Sequence, residues 1–275
     1  MPLLIDDRNR EVNVPEKAER IISLSPSVTE ILFELGLGEN VVGVTPFCVR
    51  PPDARKKRKV ASYGYASVEQ FRKLKPDLIL TVTGYQNQVA DQLSGNFNLF
   101  SFRLPSSLSG VLDLVTKVGI VTGEEEKGRL LEMELWDRTK DIKRGKLSSV
   151  YFECDLGGPV SFGSLSYITD VLRFMNFKSI YSAEYREWLT PDFEYVKRED
   201  PDYLIFEPKM FARREEKMIQ KMLSSRGWEA LSACRNNRVY VTPGNFDFLA
   251  HHGPSLIREV LPWLERIGME AERKQ

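Results

Sequence analysis

The chain has 275 residues, 42% of them hydrophobic and 28% charged, which is longer than a usual single core and typical of a folded globular protein. Lys plus Arg equals Asp plus Glu at 39 each, so no global field draws nucleic acid or anionic lipid. Cys48, Cys154 and Cys234 are odd in number and far apart, which excludes a disulfide framework or zinc spacing, and no apolar run approaches the ~18 residues that span a bilayer. The opening MPLLIDDRNREVNVP lacks the basic and apolar regions of a signal peptide, leaving an intracellular protein or a leader not written here.

In chain order, Arg20–Ser25 reads as a short strand, and Ser27-Val-Thr-Glu30 has capping-box spacing for the helix through Ile31, Leu32 and Leu35. Gly36 stops that helix, because glycine tolerates the left-handed cap. Val41–Thr45 is the next strand. The basic run Arg55–Lys59 reads as a solvated loop rather than a phosphate or acidic-partner site. Ser67 to Gln70 repeats the capping spacing, and its helix must end before Pro76. Leu78–Val82 reads as a strand buried on both faces, followed by a helix and the strand Leu99–Arg103. Thr122-Gly-Glu-Glu125 is a third capping-box candidate, opening a helix of about twenty residues through Leu130, Leu131, Met133, Leu135 and Ile142, ~30 Å long. A second series then follows: strand Ser149–Cys154, helix 164–176, strand Ser179–Ser182, a short helix, strand Tyr203–Glu207, helix 213–224, strand Arg238–Thr242 and helix 254–267.

The two series share motifs. SVEQFRKLKPDLIL and DFEYVKREDPDYLIF match at Glu69/Glu194, Pro76/Pro201 and Asp77/Asp202, with Lys73 recurring as Lys197 one place early. Val28-Thr-Glu-Ile-Leu32 likewise resembles Ile168-Thr-Asp-Val-Leu172 on the first helix of each series. Alternating strands and helices predict parallel sheets with right-handed crossovers. The expectation is an α/β protein of two duplicated Rossmann-like lobes, residues 1–121 and 146–275, joined by one long backbone helix over 122–145. Its ligand cleft would lie between the lobes, at the carboxyl ends of the strands.

The loops after those strands are rich in aromatic, Gly and Pro residues, including Phe47, Tyr63, Tyr85, Leu156-Gly-Gly158, Trp188 and Asn245–His252. As a set such faces suit a bulky planar or macrocyclic ligand, whereas each aromatic taken singly is better read as packing its own loop. Catalytic signatures are missing. There is no GxxxxGK[ST], no complete GxGxxG after a strand and no GxSxG. Any triad would have to centre on His251 or His252, which fit capping and packing before Gly253-Pro254, with one His contacting a metal-containing ligand as the sharper alternative. Cys48 reads as a small buried residue, with a thiolate ligand as its alternative.

These residues resemble the periplasmic binding proteins of cobalamin and ferric-siderophore ABC importers, nearest the cobalamin-binding branch. The resemblance runs from Asp6 to Ile267. It is carried by RIISLSPSVTEIL (Arg20–Leu32), Val42-Gly-Val44, Pro51-Pro52, Leu74-Lys-Pro-Asp-Leu-Ile79, Arg226-Gly-Trp-Glu-Ala-Leu231 and Arg238-Val-Tyr240. It implies two α/β lobes bridged by a rigid helix, with little hinge closing. Tyr63 stands where that branch places an aromatic before the first Glu-helix, and Trp188 where it places a Trp before the second. Val49-Arg50 replaces a frequent Asp-Tyr, His251 replaces an arginine, and Val82 replaces an aromatic with Tyr85 nearby. The resemblance therefore implies Tyr63, Trp188, Arg50, Tyr85 and His251 as ligand contacts, and the aromatic loops add Phe47 and Phe248. It also implies Glu69 and Glu194 as exposed docking charges, free of ion pairs within their own lobes, for arginines of a two-fold ABC permease dimer. The helix dipole alone also favours a Glu at each position.

The function so implied is non-enzymatic. A monomeric, extracytoplasmic substrate-binding protein carries a cobalt corrinoid to its permease, with no resident cofactor, metal or nucleic acid. A ferric siderophore or haem is the alternative cargo. The rival class is a cytoplasmic corrinoid-handling α/β enzyme or carrier.

Overall fold

The computed structural model describes residues 2–62, 66–84, 86–212 and 217–273. The chain divides into two compact units, Met1–Pro105 with Ser109–Arg138, and Ser106–Leu108 with Thr139–Gln275.

The first unit opens with a hairpin of β1 (Leu3–Ile5) and β2 (Glu11–Asn13). The carboxylate of Asp6, at its turn, accepts from Arg8 N and Arg10 N, both at 2.9 Å, from Arg10 Nη2 at 2.6 Å and from Ser101 N at 3.3 Å. The main chain continues as β3 (Ile21–Ser23), α1 (Pro26–Glu34), β4 (Val41–Val44), α2 (Val68–Leu74), β5 (Leu78–Val82), α3 (Asn87–Ser94) and β6 (Leu99–Phe102). The four strands β3 to β6 form a parallel sheet in the order β4-β3-β5-β6. Every residue of β5 is buried, as expected of a parallel strand covered on both faces.

Two of the three capping boxes are not formed. Pro26, whose fixed φ suits the first helical position, moves the start of α1 to Ser25, so Ser27 lies buried within the helix. Thr122 ends α4 (Leu108–Thr122), its hydroxyl donating to Val118 O at 2.7 Å. The third box is half-formed: Gln70 N donates to the Ser67 hydroxyl at 3.5 Å. Gly36 does stop α1, with φ +82°. Gly123 reverses the chain after α4 with φ +78°, where a Cβ would lie 2.2 Å from Glu16 O. The helix expected over 122–145 follows as α5 (Glu125–Lys140).

The basic run is absorbed locally. Arg55 donates to Val49 O, Lys56 pairs with Asp53, Lys57 sits over the Phe33 ring and Lys59 donates to Ala54 O.

The second unit comprises β7 (Ser148–Asp155), β8 (Pro159–Phe162), α6 (Tyr167–Phe174), β9 (Phe177–Ser179), β10 (Trp188–Leu189), α7 (Phe193–Glu199), β11 (Tyr203–Glu207), α8 (Met218–Arg226), α9 (Ser232–Arg235), β12 (Val239–Val241) and α10 (Leu261–Arg273). A π-type turn at Leu256–Val260 leads into α10. The strand expected at 179–182 lies earlier because Phe177–Ser179 pairs in parallel with Ser148–Val150. Residues 213–216 of the expected helix 213–224 lie outside the described residues.

Strands β7, β9, β11 and β12 repeat the first unit's plan. The first strand is flanked by the second and third, the fourth lies beyond the third, and all are parallel. Antiparallel β8 and β10 are additions along β7. Even the stop signal is repeated. Lys75 and Asp200 end α2 and α7 in the left-handed conformation, at φ 45° and 40°. After each following proline, the aspartate caps the start of the neighbouring first strand. Asp77 accepts from Glu19 N at 2.7 Å, and Asp202 from Ser149 N at 2.8 Å. The Pro-Asp half of the duplicated motif is therefore structural.

The second core centres on Trp228, which meets Tyr151 edge-on at 5.4 Å and Phe193 at 5.5 Å. Arg226 lies 4.0 Å over Phe193 and makes a paired contact with the buried Glu153, at 2.6 and 2.9 Å. The Arg-Gly-Trp marker is thus a packing unit, with Gly227 as the left-handed cap of α8.

Candidate functional site

In each unit the carboxyl ends of the parallel strands converge on irregular loops, where open α/β sheets place ligands. In the first unit, the loop after β4 carries Phe47 and Arg50, both half-buried. Beneath them Cys48 is fully buried, receiving a hydrogen bond from the Thr29 hydroxyl at 3.0 Å. Burial pushes its thiol up, overriding the threonine hydrogen bonds, so Cys48 is a neutral packing residue rather than a thiolate ligand. The buried Gln86 carboxamide takes hydrogen bonds from Thr81 and Val82 N and gives one to Leu24 O, tying the ends of β3 and β5 together. Tyr63 and Tyr85 lie outside the described residues.

In the second unit, Trp188 sits on the two-residue edge strand β10, opposite Phe162, and is 37% exposed. Phe162 stacks on Phe152 at 5.7 Å, giving the Trp a rigid base. The loop after β12 brings Phe248 and His251 to the same end of the sheet, but both are buried. Phe248 packs edge-on against Trp263 at 5.6 Å. His252 meets Tyr167 at 5.5 Å, and the Tyr167 hydroxyl donates to Leu249 O at 2.9 Å. Burial, then the neighbouring His251, brings His252 down to about 3, so it is a neutral imidazole. The packing role read for the His pair describes His252 well.

Sequence reasoning missed Glu207, the last residue of β11 and 2% exposed. Its carboxyl accepts from Leu249 N at 2.6 Å and Ala250 N at 3.1 Å, so it holds the loop that carries Phe248 and His251. The available signal was a carboxylate closing an otherwise apolar strand.

Glu69 and Glu194 each occupy the first turn of the second helix in their unit, with side chains 75% and 76% exposed. The expected freedom from internal ion pairs is not met. Glu69 pairs with Lys73 and Glu194 with Lys197, both at 2.7 Å. Exposed intrahelical pairs contribute roughly 0.3–0.5 kcal/mol, and these pairs count against the two glutamates as docking charges.

Among the described residues, no group of three or more His, Cys, Asp or Glu comes together to hold a metal ion, and no helix is long and apolar enough to cross a membrane.

Residues 21–246 match the periplasmic binding protein family, and the chain belongs to it. It is 28% identical, over 97% of its length and 85% of the relative's, to an uncharacterized ABC transporter substrate-binding lipoprotein of Bacillus subtilis. Over 141 residues, 50% of this chain and 38% of the relative, it is 32% identical to a cobalamin-binding protein of Halobacterium salinarum. The periplasmic vitamin B12 binding protein of Vibrio cholerae shares the fold, with a TM-score of 0.73 at 20% identity, over 93% of this chain and 98% of that one.

Proposed function

We propose that this protein is the extracytoplasmic substrate-binding component of an ABC importer, acting as a monomer, and that its cargo is a cobalamin-type corrinoid. The observation that carries the transport reading is the match of residues 21–246 to the periplasmic binding protein family. Two units of the same strand order each present an exposed glutamate at the same helical position, 75% and 76% exposed. A two-fold symmetric permease would take one charge from each unit once the lysine pairs open, and rim charges of this kind set encounter rate and register. The relationship to an ABC transporter substrate-binding lipoprotein supports the same reading, and the match to a cobalamin-binding protein supports the cargo.

In this proposal the loops beyond the parallel strands take up the ligand. Trp188 is the proposed stacking contact of the second unit, and Phe47, Arg50, Tyr63 and Tyr85 are the proposed contacts of the first. Phe248 and His251 shape the loop beside Trp188. Stacking and burial need no reaction, which fits a carrier rather than an enzyme. The positive charge of Arg50 favours an anionic ferric chelate as the second reading.

Mixing purified protein with cyanocobalamin, cobinamide, hemin and a ferric hydroxamate siderophore tests the cargo. A visible-band shift and tryptophan quenching with the corrinoids at micromolar concentration are expected. Binding of hemin or the siderophore alone would move the cargo to that class, and no binding at all would overturn the assignment.

A further inference from the structure

Leu249 N and Ala250 N point at the two oxygens of one carboxyl, Glu207, from 2.6 and 3.1 Å. The Cys154 thiol, 3.9 Å from the carboxyl, supplies a third and weaker donor to the same group. Successive backbone N–H groups converging on one anion form a nest, and here the anion belongs to the protein. We infer that Glu207 is a positioning residue for the ligand loop: its ionised carboxylate holds residues 248–250 in place, and its protonation loosens them. The ligand arm of this inference rests on the function proposed above.

The chemistry is a matter of acceptors. An ionised carboxylate offers two full oxygens to three donors, whereas a protonated one gives up half of that capacity and gains a hydrogen needing its own acceptor. At least one amide of the loop then loses its partner. The surroundings make such protonation accessible near neutrality. Glu207 is buried at the end of β11, and among the described residues the nearest cation in the chain is Lys209, two positions on and exposed. Asp247 lies on the loop itself. On β7 the Cys154 thiol is 3.9 Å away, with Glu153 and Asp155 on either side of it in the chain. β12 ends at Val241, Thr242 N donates to Phe206 O at 2.9 Å, and α6 contributes the Tyr167 hydroxyl on Leu249 O. Of the two histidines that follow in the loop, His252 is neutral. Burial first, then the charge of Asp247, raises Glu207 to about 7, against the opposing pull of the loop amides. The loop is therefore held above neutral pH and released below it.

The test is amide hydrogen exchange of the 247–252 segment in the full chain, corrected for intrinsic rates, from pH 5.5 to 8.5. Protection of Leu249 and Ala250 should rise at least tenfold across a midpoint near 7, as the wild type takes up its ionised form. Glu207→Gln keeps the shape but offers one acceptor and an unwanted donor, so its protection should stay low and flat. Cyanocobalamin and hemin titrations at pH 6 and 8 should show tighter binding at pH 8 in the wild type and no such difference in the variant. Flat protection in the wild type overturns the inference without any need for a folded variant. Equal protection in wild type and Glu207→Gln overturns it also. Titrating protection without binding of either probe upholds the positioning role and overturns the cargo reading instead.

Discussion

Removing the Arg226 side chain should be among the most damaging single changes in the second unit. Its guanidinium meets both oxygens of Glu153 at 2.6 and 2.9 Å, with the two side chains only 11% and 7% exposed. Tyr151 also donates to Glu153, so Arg226→Ala leaves a buried carboxylate with one neutral hydroxyl and no cation. Stranding a buried charge costs roughly 3–5 kcal/mol. The guanidinium also lies 4.0 Å over Phe193 and 4.8 Å over Trp228, contacts of ~0.5–2 kcal/mol each that overlap with the first term. A net loss of about 4 kcal/mol follows, read as a drop in the urea midpoint followed by Trp fluorescence. The double variant Arg226→Met, Glu153→Gln should recover most of the loss. A deficit under about 1 kcal/mol would show that the pair is solvent-screened and that Trp228 packing alone holds this region.

Trp188→Ala should weaken cyanocobalamin binding at least tenfold, about 1.4 kcal/mol, with the thermal midpoint nearly unchanged, since the side chain is partly exposed on a two-residue edge strand. A collapse of stability with unaltered affinity would make it a core residue. Reversing both Glu69 and Glu194 to Arg should abolish cargo delivery to the reconstituted permease while leaving affinity and folding intact; undiminished transport by the double variant would end the docking proposal. Burial raises the Asp6 carboxyl, but Arg10 and the hydrogen bonds from Arg10 N and Arg8 N overcome it and hold the group below its usual 3.8. Its contribution is therefore present above the unfolded value and lost as pH falls below 3.8. Asp6→Asn should lower the urea midpoint at pH 7 and match the wild type at pH 2.5, and an equal gap at both would contradict the linkage.

The order of the parallel strands was legible in the chain because strands buried on both faces are apolar along their whole length, as in Leu78–Val82 and Tyr203–Phe206, whereas α4 and the antiparallel strands were not read. The repeated Glu-helix, Pro stop and Asp were also legible, since a short helix end depends on its own residues and the proline that follows. Local spacing failed where neighbours decided the outcome. Pro26 displaced the cap from Ser27, and the reversal against Glu16 turned Thr122 from a helix start into a helix end. The strand at Phe177–Ser179 was placed by its pairing with Ser148–Val150, which no periodicity contains. The candidate site divides in the same way. Aromatic loops after strands could be named from the sequence, but burial alone distinguishes the exposed Trp188 from the packed Phe248 and His251. Glu207 shows the reason most clearly. Its role depends on amides more than forty positions away in the chain, a contact that exists only once β11 and the loop after β12 are folded side by side.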